Sequence, residues 1–187
     1  MTTQQDPDYD CPTGEPIFDP EYWYKRLANS SPADMHHAVF RCPRDRWERI
    51  ANKHRHILLG RVGPRESLLD AGCGWGRLLD LLPSSWNGYY CGIDLCPDFA
   101  GIARQRYPQH AFICGDLRGV EPLWFSRCRE GYDEFDWCIL VSIRPMIKRH
   151  CGEEVWDKIE RRLRSVSKRL LYLEYDENDP GEVVECL

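Results

Sequence analysis

The stretch from Leu68 to Leu81, LLDAGCGWGRLLDL, constrains the chain more than any other. An apolar run enters Gly72, Gly74 and Gly76 at alternate positions and leaves directly into a helical pattern. Glycine admits backbone dihedrals and close approaches denied to residues with a side chain, and a helix start presents unpaired N–H groups. Strand, glycine loop and helix in that order are how an open α/β sheet brings a nucleoside-like ligand against bare backbone.

Around this stretch, short apolar runs alternate with helical periodicity. Strands are expected at 68–71, 89–95, 111–115, 135–142 and 170–175, the fourth almost continuously apolar, as when helices cover both faces of a parallel sheet. Arg77 to Leu82 opens the first crossover helix, and Pro83 ends it. Phe99, Ile102, Ala103 and Tyr107 mark the buried stripe of a second helix; Val155, Trp156, Ile159, Leu163 and Val166 mark that of a strong helix after Pro145. Ahead of the sheet, a helix from Arg44 to Gly60 carries Trp47, Ile50, Ile57 and Leu58, and EYWYKRL forms a shorter amphipathic one. This alternation specifies an α/β fold, a doubly wound, mostly parallel Rossmann-like sheet with helices on both faces and a shortened C-terminal end. Residues 1–43 read as an N-terminal extension whose loop SSPADMHHAVFRCP can cross the ligand crevice as a lid, and 44–187 as the ligand-binding domain.

The glycine loop narrows the ligand class. A phosphate-binding P-loop needs a lysine and a hydroxyl after its glycines, but Gly76 is followed by Arg77 and Leu78. A dinucleotide loop uses GxGxxG; here the spacing is GxGxG, with Trp75 between the last two glycines, which favours a ligand without phosphate. Asp94 ends the second strand, where a carboxylate can accept hydrogen bonds from both hydroxyls of a ribose or cap the helix beginning near Pro97. Asp116 ends the third strand in ICGDL and either reaches an adenine amino group or serves as a turn residue.

The segments LLDAGCGWGR, YCGIDLCPDFAGIARQRYP, FICGDL and FDWCILVS resemble, in order and spacing, the first four motifs of the class I S-adenosylmethionine-dependent methyltransferases. The resemblance covers Leu68 to Tyr175 and implies S-adenosyl-L-methionine as cofactor. It implies that Asp70 supports the loop near the methionine amino group, that Gly72, Cys73, Gly74, Trp75 and Gly76 form the loop beside the cofactor, that Asp94 holds the ribose, and that Leu95 is a further cofactor contact. It further implies that Asp116 contacts the adenine amine with Leu117 beside the ring. Two departures stand out: the fourth strand ends in SIRP in place of the sequence that holds an exocyclic base amine in DNA amino methyltransferases, and only Asn178 to Leu187 follows the fifth strand, where the family carries a terminal hairpin.

The C-terminal departure leaves Leu171 and Leu173 on an edge that either a symmetric homodimer or the folding back of GEVVECL must cover. Of the ten cysteines none forms a CxxC pair, and Cys73, Cys91, Cys96, Cys114 and Cys138 lie in or beside strand patterns, where free cysteine behaves as a small hydrophobe. No metal site is therefore expected, and neither a signal peptide nor a membrane span is legible, which points to a cytoplasmic protein. The net charge of −5 weakens long-range steering toward nucleic acid, although Arg41 to Arg65 and Arg144 to Arg169 are locally basic.

Methyl transfer from a sulfonium is an in-line displacement, accelerated chiefly by holding the partners in line. His37 in the loop, Ser142 at the end of the fourth strand and Arg144 just beyond are the catalytic candidates, and Ser142 is a cofactor-binding candidate as well. Tyr22, Trp23 and Tyr24 form the densest aromatic cluster, divided between core packing and a wall over the ligand. A small-molecule acceptor is the first functional expectation; an RNA or DNA acceptor and a non-catalytic partner subunit of the same fold are the alternatives.

Overall fold

The structure, a computed structural model, describes residues 18–30, 35–36, 44–121, 124 and 134–173, and the backbone of 183–186. Two helices precede the sheet, α1 (Pro20–Ala28) and α2 (Arg44–Arg61). The strands are β1 (Leu68–Ala71), β2 (Tyr90–Asp94), β3 (Ala111–Cys114), β4 (Trp137–Val141), β5 (Leu170–Leu173) and β6 (Val183–Cys186). Helix α3 (Pro97–Arg106) joins β2 to β3, and α4 (Ile143–Cys151) with α5 (Glu153–Arg164) joins β4 to β5.

The strands form one sheet in the order β3-β2-β1-β4-β5-β6, parallel except for β6. Leu68 pairs in register with Tyr90 on one side and Trp137 on the other, so chain order reverses between β1 and β4. That reversal opens a crevice at the carboxyl ends of the central strands. Alternate residues face opposite layers. Leu69, Ala71, Cys91, Cys138, Leu140 and Tyr172 pack against Ile147 of α4 and Trp156, Ile159 and Leu163 of α5. Leu68, Tyr90, Trp137, Ile139, Leu171 and Leu173 pack against Leu58 of α2 and Ala103 of α3.

Several expected elements take a different form. Arg77–Leu81 is a 3-10 turn, not the start of an α-helix. Pro83 leaves too few residues for α-helical propagation, and at three residues per turn Leu78 and Leu81 stack on the same buried side. The helix expected after Pro145 is two helices, beginning already at Ile143 and broken at Gly152, whose φ of 86° lies in the left-handed region. Cys151 is the last residue of the first of them. The second and fourth strands are shorter than 89–95 and 135–142, Phe135 making only an isolated bridge to Ser167; of the fifth, Leu170–Leu173 is described, and Glu174 and Tyr175 lie outside the described residues. Cys114 is exposed, unlike Cys73, Cys91, Cys96 and Cys138.

The bare-edge argument for a dimer is overturned. Leu170 to Leu173 pairs antiparallel with Val183 to Cys186, and Leu171 and Leu173 are fully buried. GEVVECL thus supplies its own strand, and the edge of β5 asks for no second copy. Among the described residues no helix is long and apolar enough to cross a membrane, and no three His, Cys, Asp or Glu side chains are grouped to hold a metal ion.

Candidate functional site

At the carboxyl ends of β1, β2 and β3 lies a cleft enclosing about 630 Å³ of space together with its open mouth. Gly72 and Gly74 form its floor; Ile93, Asp94, Leu95 and Phe99 come from β2 and α3; Gly115, Asp116 and Leu117 follow β3. Ile143, Met146 and Ile147 of α4 face them, and Phe18 and Trp23 close the N-terminal side.

The loop leaves β1 tied to β2: the N–H groups of Gly72 and Cys73 both donate to the Ile93 carbonyl, at 2.8 and 2.9 Å. Gly72 has φ +84°, and a Cβ there would stand 2.5 Å from Ile143 Cδ1, so the strand end and α4 approach only because this residue has no side chain. Gly74, at φ +53°, has nothing within 4 Å of where a Cβ would project, leaving that side open for a ligand.

Three strand-end acids have three different environments. Asp94 Oδ2 accepts from the Gly74 N–H at 2.7 Å and Oδ1 from the Cys96 N–H at 2.9 Å. Burial outweighs these bonds and pushes the Asp94 carboxyl up to about 6. Asp94 fixes the turn before α3 through the Cys96 N–H without capping the helix itself, and it faces the cleft with lone pairs to spare for two further donors. Asp116 caps the turn Leu117–Gly119 through the Arg118 N–H at 2.8 Å, and Arg118 Nε donates to its Oδ2 at 2.8 Å. Asp70 lies behind the loop on the α2 face, accepting from the Tyr90 hydroxyl at 2.6 Å. Burial raises its carboxyl to about 7, with the Tyr90 hydrogen bond and the Arg77 charge pulling the other way.

Of the sequence candidates, Gly72, Gly74, Asp94, Leu95, Asp116 and Leu117 converge on the cleft. Asp70, Cys73, Trp75, Gly76, Ser142 and Arg144 stand outside its lining. Cys73 packs beneath β2, where a Cβ on Gly92 would meet its Sγ at 2.7 Å. Trp75 is buried against Phe99 and, across the loop, Trp47. Gly76, at φ +80°, starts the 3-10 turn. Arg144 places its guanidinium 4.5 Å from the Tyr172 ring centre. Ser142 is the one non-glycine residue with positive φ among those described, +57°, and its buried Oγ has no partner among them.

His37 lies outside the described residues. His36 is buried and stacked on Trp47 at 5.5 Å; His54 is buried on α2, where desolvation with help from Arg77 and Lys53 lowers its pKa to about 3 and keeps the ring neutral. The aromatic cluster of α1 is divided: Tyr22 is buried, Trp23 lines the cleft and Tyr24 is exposed. Sequence reasoning had no way to assign Phe18, Met146 or Ile147 to the cleft, since each is an ordinary apolar residue whose facing depends on how α1 and α4 dock. Phe99 was legible as part of a buried stripe, not as a wall.

The residues present fit S-adenosylmethionine. A carboxylate at the end of β2, a glycine with an open side next to it and an apolar slot beyond are complementary to a vicinal diol attached to a flat, weakly polar base.

A family model described as "methyltransferase domain" matches residues 68–166, more than half of the chain. No match was found among curated proteins. Among solved structures, the fold is similar to magnesium protoporphyrin IX methyltransferase of Synechocystis PCC 6803 with bound S-adenosylmethionine, at 16% identity and TM-score 0.52, covering 81% of this chain and 68% of that one. It is also similar to the PH0226 protein of Pyrococcus horikoshii OT3, at 19% identity and TM-score 0.55, covering 73% and 57%. A third likeness is to DesVI of Streptomyces venezuelae, at 19% identity and TM-score 0.52, covering 70% and 52%. At these identities the likenesses establish the fold. The family match itself runs from the first residue of β1 to Val166, just past α5, so every strand end that shapes the cleft lies within it, and the chain belongs to the class I S-adenosylmethionine-dependent methyltransferases.

Proposed function

We propose that this methyltransferase domain moves a methyl group from S-adenosylmethionine to a nucleophile on a small-molecule acceptor in the cytoplasm. One observation carries the reading: the Asp94 carboxylate, which accepts from the Gly74 N–H at 2.7 Å, and the open side of Gly74 face the same apolar cleft. In this reading Asp94 accepts from the ribose hydroxyls, Asp116 from the exocyclic amine, and Leu95 and Leu117 pack on the base. Gly72 and Gly74 let the methionine portion approach backbone, while Asp70 braces the loop from behind through Tyr90.

When bound, the cofactor supplies an electrophilic methyl on a sulfonium. The protein's share is orientation and exclusion of water by Trp23, Ile143 and Met146, with no covalent catalyst required. For an acceptor that carries a proton, His37 is the base to test first, and Ser142 and Arg144 at the head of α4 are the polar groups to test for acceptor positioning.

The choice of a small acceptor is supported by the charge arrangement on α2. Arg44 and Arg49 are paired with Glu48 and Asp45 of the same helix, at 3.7 and 2.7 Å, so these cations answer local acids in place of forming a stripe for a phosphate backbone. The magnesium protoporphyrin IX methyltransferase, which shares the fold, is named for a small-molecule acceptor. Buried thiols such as Cys73 and Cys138 suit a reducing compartment. Incubation of the protein with methyl-labelled S-adenosylmethionine and fractionated metabolites, RNA, DNA and proteins tests the proposal. Label in a low-mass product supports it, and label confined to macromolecules overturns it.

A further inference from the structure

We propose that Arg118 is a positioning residue that sets the base selectivity of the cofactor cleft by holding Asp116, and that it also seats the Phe18 wall, which serves affinity alone; this rests on the reading of Asp116 as the group that receives the exocyclic amine. Asp116 and Phe18 both line the cleft, and Arg118 does not. Its Nε donates to Asp116 Oδ2 at 2.8 Å, its Nη2 reaches the same oxygen, and its backbone N–H donates to Oδ1 at 2.8 Å. The guanidinium carbon lies 3.9 Å from the centre of the Phe18 ring. The Arg118 carbonyl in turn accepts from Arg162 Nη1, which anchors the turn to α5.

Each contact has a consequence for the ligand. A carboxylate offers about four lone-pair positions. Arg118 engages Oδ2 twice and its N–H engages Oδ1 once, so the carboxylate is fixed in rotation, with acceptor capacity remaining on Oδ1. A group held in this way discriminates between an amine, which donates, and a carbonyl, which does not. The flat face of the guanidinium against Phe18 seats the same ring that walls the cleft, joining the segment before α1 to the end of β3.

Folding stability does not explain the arrangement. The Arg118 side chain is 50% exposed and that of Asp116 28%, and ion pairs so placed add little to stability. Removing Arg118 should therefore leave the thermal midpoint nearly unchanged while altering what the cleft prefers.

The test compares binding of S-adenosylhomocysteine with that of S-inosylhomocysteine, in which a carbonyl replaces the amine, using calorimetry on the full chain. Arg118→Ala is expected to weaken the adenosyl ligand about tenfold, the loss of one charge-assisted hydrogen bond, and to lower the preference over the inosyl ligand by a similar factor. Arg118→Lys restores the charge but not the fork or the flat face, and should recover only part of that preference. Phe18→Leu should weaken both ligands and leave their ratio as in the wild type. An Arg118→Ala protein that keeps the wild-type ratio overturns the inference, whether or not its affinities fall together. Failure of the wild type to bind S-adenosylhomocysteine at all defeats the cofactor reading instead. If the alanine variant does not fold, its exposed pair is structural after all and the inference is equally lost.

Discussion

The two ends of the sheet use the same kinds of side chain to opposite effect. At the amino ends of the strands, Asp136 Oδ2 accepts from both the N–H and the hydroxyl of Ser67, each at 2.9 Å, while Lys168 reaches Oδ1 at 2.8 Å. Beside it Glu66 accepts from the Gly63 N–H and the Trp137 indole, each at 2.7 Å, and pairs with Arg169. The Lys168 and Ser67 bonds overcome the desolvation of Asp136 and bring its carboxyl down to about 2, and Glu66 is lowered likewise. At the carboxyl ends burial prevails, and Asp70 and Asp94 rise to about 7 and about 6. The first end is a satisfied clasp that holds the strands; the second keeps incompletely satisfied acids next to a cleft, an arrangement that lowers stability and leaves bonding capacity for a ligand.

Asp70→Asn should break this contrast most strongly. The folded pKa of Asp70 lies above the unfolded value, so its contribution to stability is fully present below pH 3.8 and is lost as pH rises through about 7. Across that window the wild type should lose about 4 kcal/mol from this one group, and the amide variant should lack that fall. Urea unfolding at intervals from pH 4 to 8, read as the difference between the two proteins, measures it. A difference that does not change with pH would remove Asp70 from the account.

Asp94→Asn probes the same end through binding. Ribose hydroxyls donate to a carboxylate, so affinity for S-adenosylmethionine should be level above pH 6 and fall below it, as a proton occupies the acceptor, until it approaches that of the amide variant. The variant should bind about 30-fold more weakly above pH 6, or about 2 kcal/mol, and show no such slope. Equal pH profiles for the two proteins would place the ligand's hydroxyls elsewhere.

The contrast between the ends also explains what was legible in the sequence. Parallel strands alternating with helices, the glycine loop and the acids Asp94 and Asp116 are local signals, since each depends on a short window with its own period or turn chemistry. The 3-10 turn after Gly76 escaped because Leu78 and Leu81 satisfy both a helical stripe and a three-residue turn. The sixth strand had been a stated alternative; which alternative held depended on a long-range pairing of Val183 to Cys186 with β5 that no local window encodes. Met146 and Ile147 belong to the cleft through the docking of α4, and Phe18 through the placement of the segment before α1, which composition and period do not specify; the same docking decided which aromatic of α1, Trp23, became a wall. The clasp at the amino ends was invisible for the same reason: Ser67 and Asp136 are 69 residues apart in sequence.

At the clasp the pH sign reverses. Asp136 has a depressed pKa, so the stability it adds is present above the unfolded value of 3.8 and is lost as pH falls through about 2. Asp136→Asn should therefore cost stability at pH 7 and converge with the wild type near pH 2. Its side chain is 26% exposed, and allowing for solvent screening the loss at pH 7 should be about 1 to 2 kcal/mol. A variant equally destabilised at both pH values would mean that Asp136 holds β1 and β4 together by shape alone.

The smallest effect, and the one of unusual sign, concerns Ser142. This residue joins β4 to α4 with φ +57°, a conformation that costs an L-residue with a side chain roughly 1 kcal/mol or more, and its hydroxyl is buried with no partner among the described residues. Glycine adopts the same φ without strain and removes the orphaned hydroxyl, at an entropic cost of roughly 0.5 to 1 kcal/mol in the unfolded chain. Ser142→Gly should thus stabilise the protein slightly, by about 0.5 to 1 kcal/mol, measurable as a rise in the urea midpoint at constant slope. Ser142→Ala removes the hydroxyl and keeps the strain, so it should fall between the two. The pair also decides why a serine stands there. If both variants are as active as the wild type once an acceptor is known, the hydroxyl is incidental. If both lose turnover while gaining stability, the strain and the unpaired oxygen are retained for the reaction, and the carboxyl end of β4 joins those of β1 and β2 as a place where the fold gives up stability at the cleft.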